Sequence, residues 1–364
     1  MNLSEFEYHL PTESIAQRPL EERDASRMLL LDRASGRWED RAFREFPDVL
    51  RGDELIVRNN ARVIPARLFG RRRGIHAQPL GANHPARGEF LTREVEVLLV
   101  RPFGENRWEA LVRPGKKIPV GETITFGGGE LEARVESRGE FGLRVLQFTS
   151  AGDFQAEVAR LGHIPLPPYI KREDEAADRE RYQTIYAREG TAVAAPTAGL
   201  HFSREILERI RARGVETAEI TLEVGLGTFE PVRTEKLEEH AIHSEAYEIS
   251  EAAAEALERA RREKRPVLAI GTTVVRALED AAEKSANAGA AEVRPGKFEA
   301  SIFLYPGKPF RVVSQLLTNF HLPKSTLLAM VAAFAGREKV LGAYGHAVEA
   351  GYRFYSYGDC MLIR

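Results

Sequence analysis

The sequence predicts a mixed α/β fold that carries a small all-β unit, a barrel or a sandwich. Two observations predict it. Between about residues 90 and 150 the runs REVEVLLV, RWEALVRP, GETITFG, LEARVES and GLRVLQF are short and alternating or β-branched, and Gly, Pro and charges break them at close intervals. After residue 151 the rhythm changes to helix then strand, which implies a parallel or mixed sheet covered on both faces. A chain of 364 residues has room for two or three domains, at roughly 100–200 residues each.

The elements follow in chain order. A turn-rich charged segment, LPTESIAQRPLEERDAS, feeds a strand RMLLLD, and a second strand ELIVRN follows near Asp53 to Asn59. Residues 71–88, RRRGIHAQPLGANHPARG, have no periodicity and read as a flexible basic surface loop. Beyond the β-rich stretch, Ser203 caps a helix SREILERIRAR that Gly214 ends, and the strand TAEITLEV follows. Ser250 caps EAAAEALERARREK, and Pro266 stops it. VLAIG is a strand running into the helix GTTVVRALEDAAEK. SIFLY and RVVSQLL read as further strands. Ser325 or Thr326 then caps the apolar helix LLAMVAAFAG. In YRFYSYGDCMLI, alternation of Phe354 with Ser356 and of Tyr355 with Tyr357 reads as a strand with two unlike faces.

Composition narrows the function classes. Net charge is −2 and 29% of residues are charged, so any nucleic-acid contact must come from local patches. The one cysteine, Cys360, excludes an internal disulfide framework and a multi-cysteine metal site, and fits a reducing compartment. No apolar stretch approaches the ~20 residues of a membrane helix, and the acidic N-terminus is not a signal peptide. A cytoplasmic protein without a membrane partner is expected. The oligomeric state is left open, with a monomer favoured.

Three loops share one design: polar, small or histidine residues joined to a helix start. They are AAPTAGLHF (194–202), GTT (271–273) and TNFHLPKST (318–326). Helix N-termini present unpaired N–H groups and partial positive charge, so they receive carboxylates or phosphates. In a parallel sheet such loops gather at the carboxyl edge of the strands. Each also has a plain structural reading. His201 fits a satisfied half-buried histidine, Arg276 and Glu279 fit a surface pair three residues apart, and Gly199 and Gly271 fit tight turns. TLEVGLGTFEPV (221–232) lacks the third glycine and the helix of a dinucleotide fingerprint. His240 and His243, with Glu239 and Glu245, invite a metal, but no third ligand has a recognisable spacing, so an ordinary polar strand or substrate contact is the better reading and no metal is expected.

Taken in order, AAPTAGLHF, GLGTFEPV, EEHAIHSEAY, GTTVVRALE, TNFHLPKSTLL and YRFYSYGD resemble the S-adenosylmethionine:tRNA ribosyltransferase-isomerases of queuosine synthesis. LPTESIAQRPLEERDASRML, NNARVIPARLFG, GHIPLPPYIKR and RYQTIYA resemble that family too, so the likeness spans nearly the whole chain. It implies a three-layer α/β/α domain, residues 1–62 and 152–364, with a small β-barrel inserted at 63–151. It implies S-adenosylmethionine as a co-substrate that donates its ribosyl part, with no recycled cofactor. It implies as partner a tRNA bearing 7-aminomethyl-7-deazaguanine at the wobble position. The product would be epoxyqueuosine, with adenine and methionine released.

That chemistry assigns candidates. A sulfonium acidifies the adjacent C5′ protons, and a histidine suits their removal, so His201 and His321 are the candidate bases. Asp359 is a candidate to protonate adenine or orient the attacking amine. Phe202, Phe320 and Tyr357 offer aromatic faces to the sulfonium. Arg276, or the helix start with Thr272 and Thr273, suits the methionine carboxylate. Thr197, Gly199 and Asn319 complete the substrate-binding set. Arg62, Arg67, Lys171, Arg172 and Lys324 are candidates for tRNA phosphates. Three features depart from the family pattern. Glu223 stands where a histidine is usual, so either that position is not the base or a carboxylate serves there. Asn60 and Ala61 replace an Asp-Thr pair. Residues 71–93 lengthen the link into the barrel, either adding phosphate contacts or forming a tolerated insertion. The alternatives from other classes are a nucleotide-handling α/β transferase acting on a small metabolite and a non-catalytic RNA-binding module.

Overall fold

The computed structural model describes residues 1–74, 93–115, 118–139, 142–225, 234–240 and 242–364. Most of the basic loop expected at 71–88 and part of the glycine-spaced turn at 225–232 fall outside them. The strands, in chain order, are β1 (Arg27–Leu31), β2 (Trp38–Ala42), β3 (Leu55–Asn59), β4 (Ala61–Val63), β5 (Arg67–Arg72), β6 (Glu94–Pro102), β7 (Arg107–Arg113), β8 (Thr123–Phe126), β9 (Leu131–Arg138), β10 (Leu143–Ser150), β11 (Glu189–Ala192), β12 (Glu216–Leu222), β13 (Glu245–Ile249), β14 (Val267–Ile270), β15 (Gly296–Ala300), β16 (Gln315–Asn319) and β17 (Cys360–Ile363). Nine of them form one sheet in the order β15-β13-β12-β3-β14-β16-β17-β1-β2. Its centre is parallel: β3 pairs in parallel with both β12 and β14, and β14 with β16. β17 runs antiparallel to β16, and β1 runs parallel to β17.

The central strands are buried on both faces, which is why their sequences are near-continuous apolar runs. Leu29, Leu31, Leu55, Val57, Ala269, Leu316 and Met361 point into one core, covered by the helices Glu251–Arg262, Thr272–Asn287, Thr326–Ala335 and Arg337–Glu349. Their neighbours Met28, Leu30, Ile56, Leu268, Leu317 and Leu362 point into the other, covered by Phe43, Phe46 and the helix Arg204–Ala212. The result is three layers. The serine caps form as the sequence predicts. Ser203, Ser250 and Ser325 accept from the backbone N–H of Ile206, Ala253 and Leu328 at 3.2, 3.2 and 3.1 Å.

The β-rich stretch closes into a six-stranded barrel, β10-β7-β6-β5-β8-β9. Strict alternation supplies its interior: Val95, Val97 and Leu99 on β6 face Trp108, Ala110 and Val112 on β7. Phe154 and Val158, from the helix Phe154–Leu161, pack against that interior. At Gly70 an added Cβ would lie 2.7 Å from the Phe126 ring, so the barrel closes there only around a glycine.

Three expected strands are corrected, and buried polar groups explain two of them. SIFLY is not a strand, and β15 ends at Ala300. The Asp280 carboxylate accepts from the backbone N–H of Ser301 at 3.0 Å and of Ile302 at 3.3 Å, which removes donors a ladder would need. RVVSQLL becomes a strand only from Gln315, because Glu279 accepts the N–H groups of Arg311, Val312 and Val313 at 2.6 to 3.0 Å. Residues 352–359 form a bridge and turns ahead of β17, with Tyr355 at φ +73°.

Candidate active site

The parallel strands end together. β3 stops at Asn59, β12 at Leu222, β14 at Ile270 and β16 at Asn319. Because β17 and β1 run against β16, their first residues, with Asp359 and Ser26 just ahead, reach the same edge. Asn59 binds the central ends. Its amide donates to the Leu222 carbonyl at 3.0 Å, and its oxygen accepts from the N–H groups of Ala61 and Leu222 at 3.0 Å.

At this edge a cleft opens between the three loops. Residues 194–198, 271–273 and 318–321 form its walls, with Tyr169, Val224, Leu327, Tyr355 and Ser356. Among the described residues no charged side chain lines it. The 16-residue helix Thr272–Asn287 begins here without a side-chain cap, because Gly271 at φ +96° makes the turn. Its first-turn N–H groups and the positive end of its dipole are therefore available to an anion.

His321 lies on the cleft wall, buried. Its Nε2 is 2.8 Å from Thr318 Oγ1, its N–H donates to the Tyr344 hydroxyl at 3.1 Å, and its carbonyl accepts from Tyr8 at 2.5 Å. Burial pushes the imidazole down to about 3, so it is neutral at pH 7. His201 is also buried and pushed down, to about 4, but it faces a second, smaller pocket behind the cleft. Its Nδ1 is 2.7 Å from Ser26 Oγ. Its Nε2 and the Asn319 Oδ1 are both buried without a hydrogen-bond partner, and the Asn319 side chain is close enough to oppose the burial effect. Thr197, Thr272, Thr273, Asn319, Phe320 and His321 thus share one cleft, and His201 backs onto it through Asn319.

Residues 3–363 match the family described as queuosine biosynthesis protein. The chain belongs to that family. It is 54% identical, over the full length of both chains, to the S-adenosylmethionine:tRNA ribosyltransferase-isomerase of Solibacter usitatus, and 48% identical to the one from Pelotomaculum thermopropionicum. The crystal structure of an S-adenosylmethionine tRNA ribosyltransferase from Thermotoga maritima is 34% identical, covers 99% of this chain and all of its own, and superposes with a TM-score of 0.53.

Several candidates in this queuosine-family chain lie elsewhere. Arg276 is corrected: its guanidinium pairs with buried Glu245 at 2.5 Å and donates to the Ala300 carbonyl, away from the cleft, and Glu279 holds residues 311–313 instead of pairing with it. Phe202 packs between Phe43, Phe46 and Tyr186 inside the second core, and the Phe320 ring between Tyr344, Tyr352 and Phe354 inside the first, so neither ring offers a face to a ligand. Gly199 is a packing position, since a Cβ there would sit 2.2 Å from the Tyr186 hydroxyl. Asp359 accepts from the N–H groups of Arg27 and Arg353, both at 2.8 Å, and burial pushes its carboxyl up. It anchors the turn that carries Tyr355 and Ser356. Tyr357 donates to Asp178 at 2.7 Å and lines the smaller pocket. Glu223, just past the cleft-side end of β12, accepts from the Thr191 N–H and hydroxyl, and its side chain does not line the cleft.

The basic candidates also divide. Arg172 forms a two-pronged pair with Asp178, Arg67 pairs with Glu96 and Lys324 with Glu7, so their charges are already matched. Arg62 and Lys171 are exposed, and no ion pair is formed by either among the described residues. Among those residues, too, no group of three His, Cys, Asp or Glu could hold a metal ion, and no helix is long and apolar enough to cross a membrane.

Sequence reasoning missed Tyr169, Tyr8, Ser26 and Thr318. The Tyr169 ring lies 4.0 Å from that of Tyr355, tilted by 43°, and its hydroxyl is 2.5 Å from Ser356 Oγ. Its signal was present in GHIPLPPYIKR, where Tyr169 and Ile170 stand between a proline pair and a charged pair, but nothing local says which wall it joins.

Proposed function

We propose that this chain transfers and isomerises the ribosyl part of S-adenosylmethionine onto 7-aminomethyl-7-deazaguanine at the tRNA wobble position, giving epoxyqueuosine-tRNA, adenine and methionine. The observation that carries the reading is the convergence of the three loops on one cleft, uncharged among the described residues, that joins a neutral histidine to an open helix N-terminus. The full-length likeness to enzymes named for this reaction supports it.

The methionine carboxylate sits at the N–H groups of Thr272 and Thr273, with their hydroxyls beside it. Tyr169 and Tyr355 give the sulfonium aromatic faces in a cleft where no charged side chain stands among the described residues. His321, neutral at pH 7, accepts the C5′ proton. The amine of the RNA base bonds to C1′, and adenine leaves C1′ with the glycosidic electron pair and takes a proton. The electron pair left at C5′ by the departing proton closes the five-carbon ring on C1′ as the ring oxygen leaves C1′, and that oxygen then displaces methionine from C5′, with the C–S pair, to form the epoxide. Thr318 fixes the His321 ring: its hydroxyl donates to the Asn319 carbonyl at 3.3 Å and accepts from Nε2 at 2.8 Å, which leaves Nδ1 as the basic nitrogen. Asn319 is held by its amide, which donates to the Tyr355 carbonyl at 2.9 Å, and His201 stands behind it. Arg62 and Lys171 are the free cations for RNA phosphates. The compartment is the cytoplasm, and no metal enters the reading.

The test is adenine release from S-adenosylmethionine, followed chromatographically with and without tRNA carrying the precursor base. Equal release of adenine and methionine that requires that tRNA is expected. Release driven by a small nucleoside alone would favour the small-metabolite transferase, and RNA binding with no turnover would favour a binding module.

A further inference from the structure

Two arginines have no role in the account above: Arg23, in ERDASR, and Arg181, in RYQTIYA. The fold brings them together at the smaller pocket, which Ser26, His201, Ser356 and Tyr357 also line. Ser356 lines the reaction cleft as well, so the two spaces stand back to back.

The two guanidiniums are unusual in how they are satisfied. Arg23 donates to the backbone carbonyls of Glu180 at 2.7 Å and Leu200 at 3.4 Å. Arg181 donates to those of Leu20 at 2.6 Å and Glu21 at 2.7 Å. Neither forms an ion pair among the described residues, and the Arg181 Nε–H is buried without an acceptor. Glu22 on the rim is already paired with Arg44. Burial first, and the Arg181 charge second, hold the Arg23 guanidinium below its usual range, with Glu180 opposing more weakly. Two like charges, half-buried side by side and held by dipoles alone, are costly unless an anion joins them. Planar guanidiniums fixed at both ends form a preorganised fork for phosphate oxygens.

We propose that Arg23 and Arg181 form a phosphate subsite that takes a backbone phosphodiester of the substrate RNA next to the nucleotide being modified. The proposal rests on tRNA as substrate, and its place explains the pairing of sites: a phosphate held behind Ser356 and His201 lets the adjoining base reach the cleft at the sheet edge.

The experiment measures binding of precursor tRNA to the full chain across a salt series, for wild type, the Arg23→Ala/Arg181→Ala double variant and the Arg23→Lys/Arg181→Lys double variant. Thermal melts accompany each, and KM for S-adenosylmethionine is measured at saturating tRNA. The alanine variant is expected to lose roughly tenfold or more in affinity and to flatten the plot of log K against log salt by about 0.7–0.9 per phosphate lost. The KM for S-adenosylmethionine stays unchanged, and the lysine variant keeps the slope while binding more weakly. An unchanged slope in a folded variant overturns the subsite. A raised KM for S-adenosylmethionine with intact RNA binding would instead assign the pocket to the methionine carboxylate. If the alanine variant does not fold, single Arg23→Gln and Arg181→Gln variants carry the same slope measurement. Absence of any tRNA binding in wild type would sink the functional reading itself, a separate outcome.

Discussion

His321→Ala is expected to lower turnover by about 10²–10⁴-fold, the range a positioned general base supplies, while tRNA affinity stays close to wild type. The imidazole is on the cleft wall, neutral, and oriented by Thr318. Its backbone is held separately by Tyr344 and Tyr8, so the loop keeps its path when the ring is removed. Single-turnover adenine release separates the chemical step from RNA binding. His201→Ala has a smaller effect, since His201 meets the cleft only through Asn319. Near-normal rates in both variants would remove the histidines from the chemistry.

Glu279→Ala is expected to cost about 1–3 kcal/mol in stability, because the buried Val313 N–H loses its acceptor, while the more exposed N–H groups of Arg311 and Val312 can turn to water. Those donors, on Arg311, Val312 and Val313, lead into β16, the strand that ends at Asn319. Glu279→Gln keeps one oxygen and recovers part of the loss. Urea unfolding followed by circular dichroism gives both values. The folded fraction retains its kcat, because β16 stays in register between β14 and β17. A folded Glu279→Ala protein with wild-type stability would show that the carboxylate is dispensable.

This glutamate also shows where sequence reading stops. Alternation and capping are local signals, so the barrel strands, the central β-runs and the helices opened by Ser203, Ser250 and Ser325 were legible. The three loops were legible as a set, because small and polar residues preceding a helix state their own backbone geometry. The partners of Arg276 and Glu279 were not. Three-residue spacing puts both on one helix, but Glu245 and residues 311–313, which claim them, are 31 or more positions away. Tyr355 misled for a related reason. Its alternation with Tyr357 imitates a strand, while the chain turns at φ +73° around Asp359, a buried carboxylate whose partners are Arg27 and Arg353. Arg23 and Arg181 look like ordinary surface charges in sequence, and only the fold sets them side by side.

A crystal structure of the full chain with S-adenosylmethionine tests the convergence of the three loops most directly. The account predicts ligand density between residues 194–198, 271–273 and 318–321, with the carboxylate on the N–H groups of Thr272 and Thr273 and the sulfonium against Tyr169 or Tyr355. Density on the barrel, or a carboxylate bound by Arg23 and Arg181 instead, would contradict it.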